Sequence, residues 1–230
     1  MRKPTTIQAL EEFGRVRLSK HFFMRDFLYS DITNLHAVPN IPDDPDLAIA
    51  AGSRLCEELL EPLNATFGRI AVRSAYRSCE VNGYGSAQQK AGNGAYKCGS
   101  NEYNYADHIW DRRDGEGRMG ATACIVVPWF ADRYEQGADW RALAWWIHDH
   151  LPYSSMYFFP KLAAFNLQWR EEPERRSGLV CHAQGMPDQA GHGQSRGLSC
   201  RMVRGISAVA GGLTRPYSAA LGFFTGAGAA

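Results

Sequence analysis

A helix, a strand and an abrupt polar break follow one another between Asp46 and Asn82, and this order constrains the fold more than any other feature of the chain. Along residues 46–63, Leu47, Ile49, Ala50, Leu55, Leu59 and Leu60 recur at helical spacing, so one face of a helix belongs to a core. The turn cluster Asn40-Ile-Pro-Asp-Asp-Pro45 opens that helix, and Pro62 and Gly68 mark its end. Arg69 to Ser74 reads as a strand, after which Ser74, Tyr76 and Arg77 precede a glycine-rich stretch. An arginine just past a strand end, beside an aromatic ring and small hydroxyls, offers a planar fork of donors that matches a carboxylate. The competing reading is a surface arginine paired with an acidic neighbour.

The flanking segments supply the rest of an α+β pattern. Leu18 to Leu28 suits a short docking helix with Ser19 as its N-cap. Residues 82–104, rich in Gly and Asn, read as one long polar loop. A polar turn over 111–117 leads into Gly120-Ala-Thr-Ala-Cys-Ile-Val-Val-Pro128, a continuous apolar run that suits a buried strand. Asp139 caps a helix over 140–150 that carries Trp145, Trp146 and Ile147. Residues 153–159 and 163–169 read as two strands joined by a turn at Pro160-Lys161.

With 230 residues and 45% hydrophobic character, the chain is long enough for one domain with appendages. A net charge of +1 argues against a nucleic-acid surface, and no run of eighteen apolar residues is present to span a membrane. The basic start, Met1-Arg-Lys, is not followed by an apolar stretch, so the expected location is cytoplasmic as made, with release by lysis or association with a phage. Cys56, Cys79, Cys98, Cys124, Cys181 and Cys200 form no C-x-x-C pair. Cys56 and Cys124 sit in apolar runs and read as core residues, whereas Cys79 and Cys98 flank the glycine-rich loop and form a disulfide only in an oxidising compartment.

Over Leu18 to Asn82 the chain resembles the peptidase M15 family, zinc D-Ala-D-Ala carboxypeptidases and related phage endolysins of the hedgehog/DD-peptidase fold. The features that carry the resemblance are Leu18-Ser-x-x-Phe22 with Asp26-Phe27, the Asn40-x-Pro turn, Leu60-Glu-Pro-Leu63, Phe67-Gly68, and Ser74-Ala-Tyr-Arg-Ser78 with Asn82. The resemblance implies a small antiparallel sheet with helices packed on it, a zinc ion at the sheet face, and action on peptidoglycan stem peptides. It gives Arg77 the terminal carboxylate of the substrate, with Tyr76 and Ser74 shaping the pocket. It also implies a domain over 18–176, preceded by an extension over 1–17.

The family's zinc ligands come from a Ser-x-His-x-x-Gly-x-Ala-x-Asp segment and a later Trp-x-His or Trp-His segment, and here both are degenerate. One alignment sets Asn104 and Asp111 in the histidine and aspartate places, with His108 between them. A second lays Gly120 to Ile125 on the Gly-x-Ala-x-Asp part and replaces the ligand aspartate with Cys124. The later ligand falls on the 163–169 strand, where Phe165-Asn-Leu-Gln-Trp-Arg170 holds no histidine. His108 and Asp111 are the best metal pair on offer, imidazole and carboxylate both suiting zinc. The competing reading makes both of them turn residues. Glu102 has the position of a general base, and no catalytic residue is assigned.

His148 and His150 lie two apart on a helix and face different sides. Two further readings follow: a non-catalytic relative that binds a stem peptide or another peptide carboxylate, and a structural phage component whose aromatic 140–159 segment is an interface. After Arg176 the chain is crowded with Gly, Ala and Ser and has one acid, Asp188, so 177–230 reads as a low-complexity tail, disordered or translated out of frame.

Overall fold

A computed structural model describes residues 1–179. The chain opens with α1 (Ile7–Gly14), where Thr6 accepts from the Ala9 N–H. Phe13 of this helix is fully buried in the main core, so residues 1–17 are part of the domain and not an extension beside it. The 18–28 segment docks as expected, with Leu18, Phe22, Met24 and Phe27 buried, but it forms no α-helix. Arg17 pairs with Phe23 in an isolated bridge, and Met24–Phe27 is a 3-10 turn. Ser19 does not cap it. Its hydroxyl donates to Glu61, 2.6 Å away, and Glu61 also accepts from the His21 N–H.

After α2 (Asp31–His36), the expected long helix is built in three pieces: α3 (Pro45–Leu55), a π-helical turn over Cys56–Leu60, and α4 (Glu61–Phe67). Asp44 caps it by accepting from the Leu47 N–H. Pro62 does not end the helix as its sequence position suggests. The wide turn lies just ahead of it, where a residue without an N–H would otherwise leave a gap in an α ladder. Gly68, at φ +79, is the actual stop.

The expected 82–104 loop is largely helical. Its first half belongs to α5 (Cys79–Lys90), because Ser78 accepts from the Val81 N–H and starts the helix. Gly85 serves close packing there, since a Cβ would lie 2.5 Å from Cys98 Sγ. The short α6 (Asn101–Asn104) closes the segment. Cys79 and Cys98 are free thiols, so the possible disulfide is not formed. Two helices follow the 120–126 strand. α7 (Pro128–Glu135) had no sequence signal beyond its opening proline, and α8 (Trp140–His150) is capped by Asp139 as expected.

The strands are β1 (Ala71–Ser74), β2 (Gly120–Val126), β3 (Ser155–Phe159), β4 (Ala164–Arg170) and β5 (Arg176–Leu179), in the order β1-β2-β4-β3-β5. The first four are antiparallel, and β5 adds to β3 in parallel. The domain therefore extends past Arg176 by one short strand, and the expectation for the remainder of the tail, 180–230, lies outside the described residues. Alternation along the strands sends Ala121, Ala123 and Ile125 of β2 and Phe165, Leu167 and Trp169 of β4 into one core with Leu55, Leu59, Leu60 and Leu63 of the long helix. Among the described residues no helix is long and apolar enough to cross a membrane.

Candidate functional site

The opposite face of the sheet carries the polar side chains. Side chains alternate in direction, so Thr122 and Cys124 of β2 and Asn166 and Gln168 of β4 point away from the core that holds their neighbours. Register places Ser74 opposite Cys124, Cys124 opposite Asn166, and Asn166 opposite Tyr157. One row of side chains thus crosses four strands.

The segment Ala106–Trp110 closes one end of that face. Thr122 N–H donates to the Asp107 carbonyl at 2.9 Å, the Thr122 hydroxyl bonds the Asp107 carboxylate, and Gln168 Nε2 donates to the Ala106 carbonyl at 3.4 Å. Gly120 permits this approach, since a Cβ there would meet the Ala106 carbonyl oxygen at 2.1 Å.

His108 is carried on this segment and is buried. Its Nδ1 lies 2.8 Å from the Ala75 carbonyl oxygen, which can only accept, so Nδ1 bears the proton and Nε2 the lone pair. Nε2 faces the Asn166 amide at 3.5 Å. Burial, aided by the nearby Arg77 charge, lowers the imidazole to about 4, so the ring is neutral at pH 7. Arg77 N–H donates to the His108 carbonyl at 2.8 Å, which zips the end of the β1 loop to the same segment.

Two arginines border the row at its β1 end. The β1 register skips between Val72 and Ser74, leaving Arg73 as an extra residue in a bulge, a feature that re-aims side chains at sheet edges. Arg73 Nη1 lies 3.9 Å from Cys124 Sγ, and Arg77 Nη1 lies 3.6 Å from Cys98 Sγ. Both positive charges favour the Cys124 thiolate, although burial outweighs them and holds the thiol up. Neither guanidinium reaches ion-pair distance of a carboxylate among the described residues, although eleven other basic side chains or termini do. Arg77 is therefore not the paired surface arginine of the competing reading.

Tyr76 and Asp111 belong elsewhere. Tyr76 is fully buried, packs edge-on to Trp110, and donates its hydroxyl to Asp111 Oδ1 at 3.1 Å. Asp111 Oδ2 accepts from the Asp43 N–H at 2.7 Å, and Arg112 lies 3.9 Å away. Burial raises the Asp111 carboxyl, and these donors oppose the rise. Tyr76 therefore does not shape a surface pocket, and Asp111 ties the Asp43 turn to the core while the His108 ring is engaged with Ala75 and Asn166.

The motif residues around them have structural work of their own. Asn40 Nδ2 donates to the Leu28 and Tyr76 carbonyls and Oδ1 accepts from the Ser78 N–H, fixing the turn that presents Arg77. Asn82, fully buried, donates to the Gly99 carbonyl and Asn101 Oδ1 and holds the far side of that turn.

The residues present do not fit the zinc ion that the resemblance implies. His108 has the donor arrangement of a ligand histidine, Nδ1–H to a carbonyl and Nε2 free of a proton. Its neighbours on the sheet are the Cys124 thiol and the Asn166 amide. Among the described residues no group of three His, Cys, Asp or Glu side chains is arranged to hold a metal. Glu102 is exposed at the start of α6, where backbone N–H groups and Ser100 lower its carboxyl, so it is a helix-start acid and not a poised base. His148 bonds the Tyr153 hydroxyl and His150 the Trp146 carbonyl, each on its own side of α8.

Sequence reasoning did not assign roles to Arg73, Asn166 or Tyr157. The signal for the second was present, since Asn166 stands on the strand expected to supply the later ligand. The bulge that exposes Arg73 has no sequence mark.

No family model matches the chain, and no curated protein or solved structure matches it.

Proposed function

We propose that this chain is a peptidase M15-like domain of the hedgehog/DD-peptidase type that binds the terminal carboxylate of a peptidoglycan stem peptide without hydrolysing it. The observation that carries this reading is the pair Arg73 and Arg77, which flank Cys124 with no carboxylate partner among the described residues. Guanidinium forks left without an acid at the end of a polar sheet face suit an external carboxylate, which each can hold by two parallel hydrogen bonds. His108, buried behind them and engaged with Ala75 and Asn166, holds the floor of that face in place. The motif series from Leu18 to Asn82 supports the stem peptide as the source of the carboxylate. The degenerate ligand motifs weigh against hydrolysis, because one alignment puts Cys124 in the place of the ligand aspartate and the 163–169 strand offers no histidine.

Calorimetric titration of a stem pentapeptide ending in D-Ala-D-Ala tests the reading. Arg77→Ala should weaken binding at least about tenfold, the cost of losing a charge-assisted contact. Equal affinity in the variant would contradict a carboxylate site at this position.

A further inference from the structure

We infer that the site reads the last four residues of an extended peptide laid across the strands, from the arginines beside β1 to the Tyr157 ring on β3. The inference rests on the carboxylate reading and adds a length and a far boundary to it. The row Ser74, Cys124, Asn166, Tyr157 lies on one line of the sheet because each pair is in register. Ser74 and Asn166 are half-buried, Cys124 is almost covered, and Tyr157 is 38% exposed, so the row is a shallow floor with a ring standing at its end.

A path along the strands is closed at one end. One residue pair below the row, Thr122 and Gln168 are capped by the Ala106–Trp110 segment through the Asp107 and Ala106 carbonyls. The direction across the strands is the one that joins the arginines to the exposed Tyr157 ring. Charge fixes which end of a peptide goes where, since the arginines occupy the β1 side and the described residues put no acid within ion-pair reach of them.

The span sets the length. Four neighbouring strands make three spacings of about 4.8 Å, roughly 14 Å in all. An extended chain advances about 3.4 Å per residue, so about four residues reach from the carboxylate to Tyr157. The Tyr157 ring packs edge-on to Phe159 at 5.1 Å between centroids, which holds one flank and leaves the other for ligand contact. Tyr157 is thus a specificity-determining residue for length, and its hydroxyl is not required.

The test uses N-acetylated alanine oligomers of two to five residues with free carboxylates, titrated into the full chain. Affinity should rise with each residue up to the tetramer and stay level for the pentamer, with about a fivefold gain at the last productive step from covering an aromatic ring. Tyr157→Ala should remove that last gain and leave dimer binding unchanged, while Tyr157→Phe should keep it. Affinity that is level from dimer to pentamer, or a tetramer gain that survives Tyr157→Ala, would overturn the length reading while leaving the carboxylate site intact. Failure of every oligomer to bind would overturn the carboxylate site and this inference with it.

Discussion

His108 points its Nδ1 at the carbonyl oxygen of Ala75, 2.8 Å away, and this contact fixes the ring as a neutral acceptor at the centre of the sheet face. It also ties the stability of the fold to pH. The folded imidazole is lowered to about 4 from 6.5, so the unfolded chain binds the extra proton first. The contribution is fully present above pH 6.5 and is lost as pH falls toward 4, a change on the order of 3 kcal/mol. Asp111, raised by burial, slopes the other way from its ordinary value upward, so the comparison must be made against a variant. Chemical denaturation across this range should show a steeper acid loss in the wild type than in His108→Gln. Parallel curves would remove His108 as the cause.

Tyr76 and Asp111 predict a separation of stability from binding. Tyr76→Phe deletes the hydroxyl that donates to the buried Asp111 carboxylate and should cost about 1–3 kcal/mol. Because the ring lies in the core beside Trp110, stem-peptide affinity should not change. A loss of affinity with unchanged stability would return Tyr76 to the pocket.

Gly120 holds the two halves of the site together. A methyl group there would meet the Ala106 carbonyl at 2.1 Å, and a backbone neighbour cannot turn aside as a side chain can. Gly120→Ala should displace the segment that carries His108, cost about 1–3 kcal/mol or more, and weaken peptide binding. Thermal unfolding and titration of the same sample check both. Near wild-type values in each would show that the Ala106 segment moves freely.

The grouping of His108, Cys124 and Asn166 makes a prediction by redesign. Asn166 and Cys124 are directly opposed on β4 and β2, and His108 Nε2 already faces Asn166. Cys124→Asp combined with Asn166→His should create tight zinc binding of about one ion per chain, measured by mass spectrometry after dialysis, from a background of weak binding in the wild type. Equal zinc in both proteins would mean that these three positions do not converge.

Much of the fold was legible where hydrophobic period and caps agreed. The long helix, β2, α8 and the β3–β4 pair follow from apolar spacing, from Asp44 and Asp139 as caps, and from continuous buried runs. The 82–104 segment misled because its glycines suggest a loop. At Gly85 the small residue answers to Cys98 packed against α5, a tertiary contact that no local pattern records. Pro62 misled for a related reason, since the π-helical turn ahead of it has no sequence sign. Of the site, Arg77 and His108 were visible as chemistry, but their grouping was not. His108 meets Asn166 across 58 positions of chain, and Arg73 is exposed by a bulge that only strand register reveals.

The central claim is that Arg73 and Arg77 wait for a peptide carboxylate, and the most direct measurement compares a stem pentapeptide as free acid and as C-terminal amide in calorimetric titrations. The account predicts that the amide binds at least about tenfold more weakly, and that Arg73→Ala with Arg77→Ala erases the difference. Equal affinity of acid and amide for the wild-type chain would contradict it.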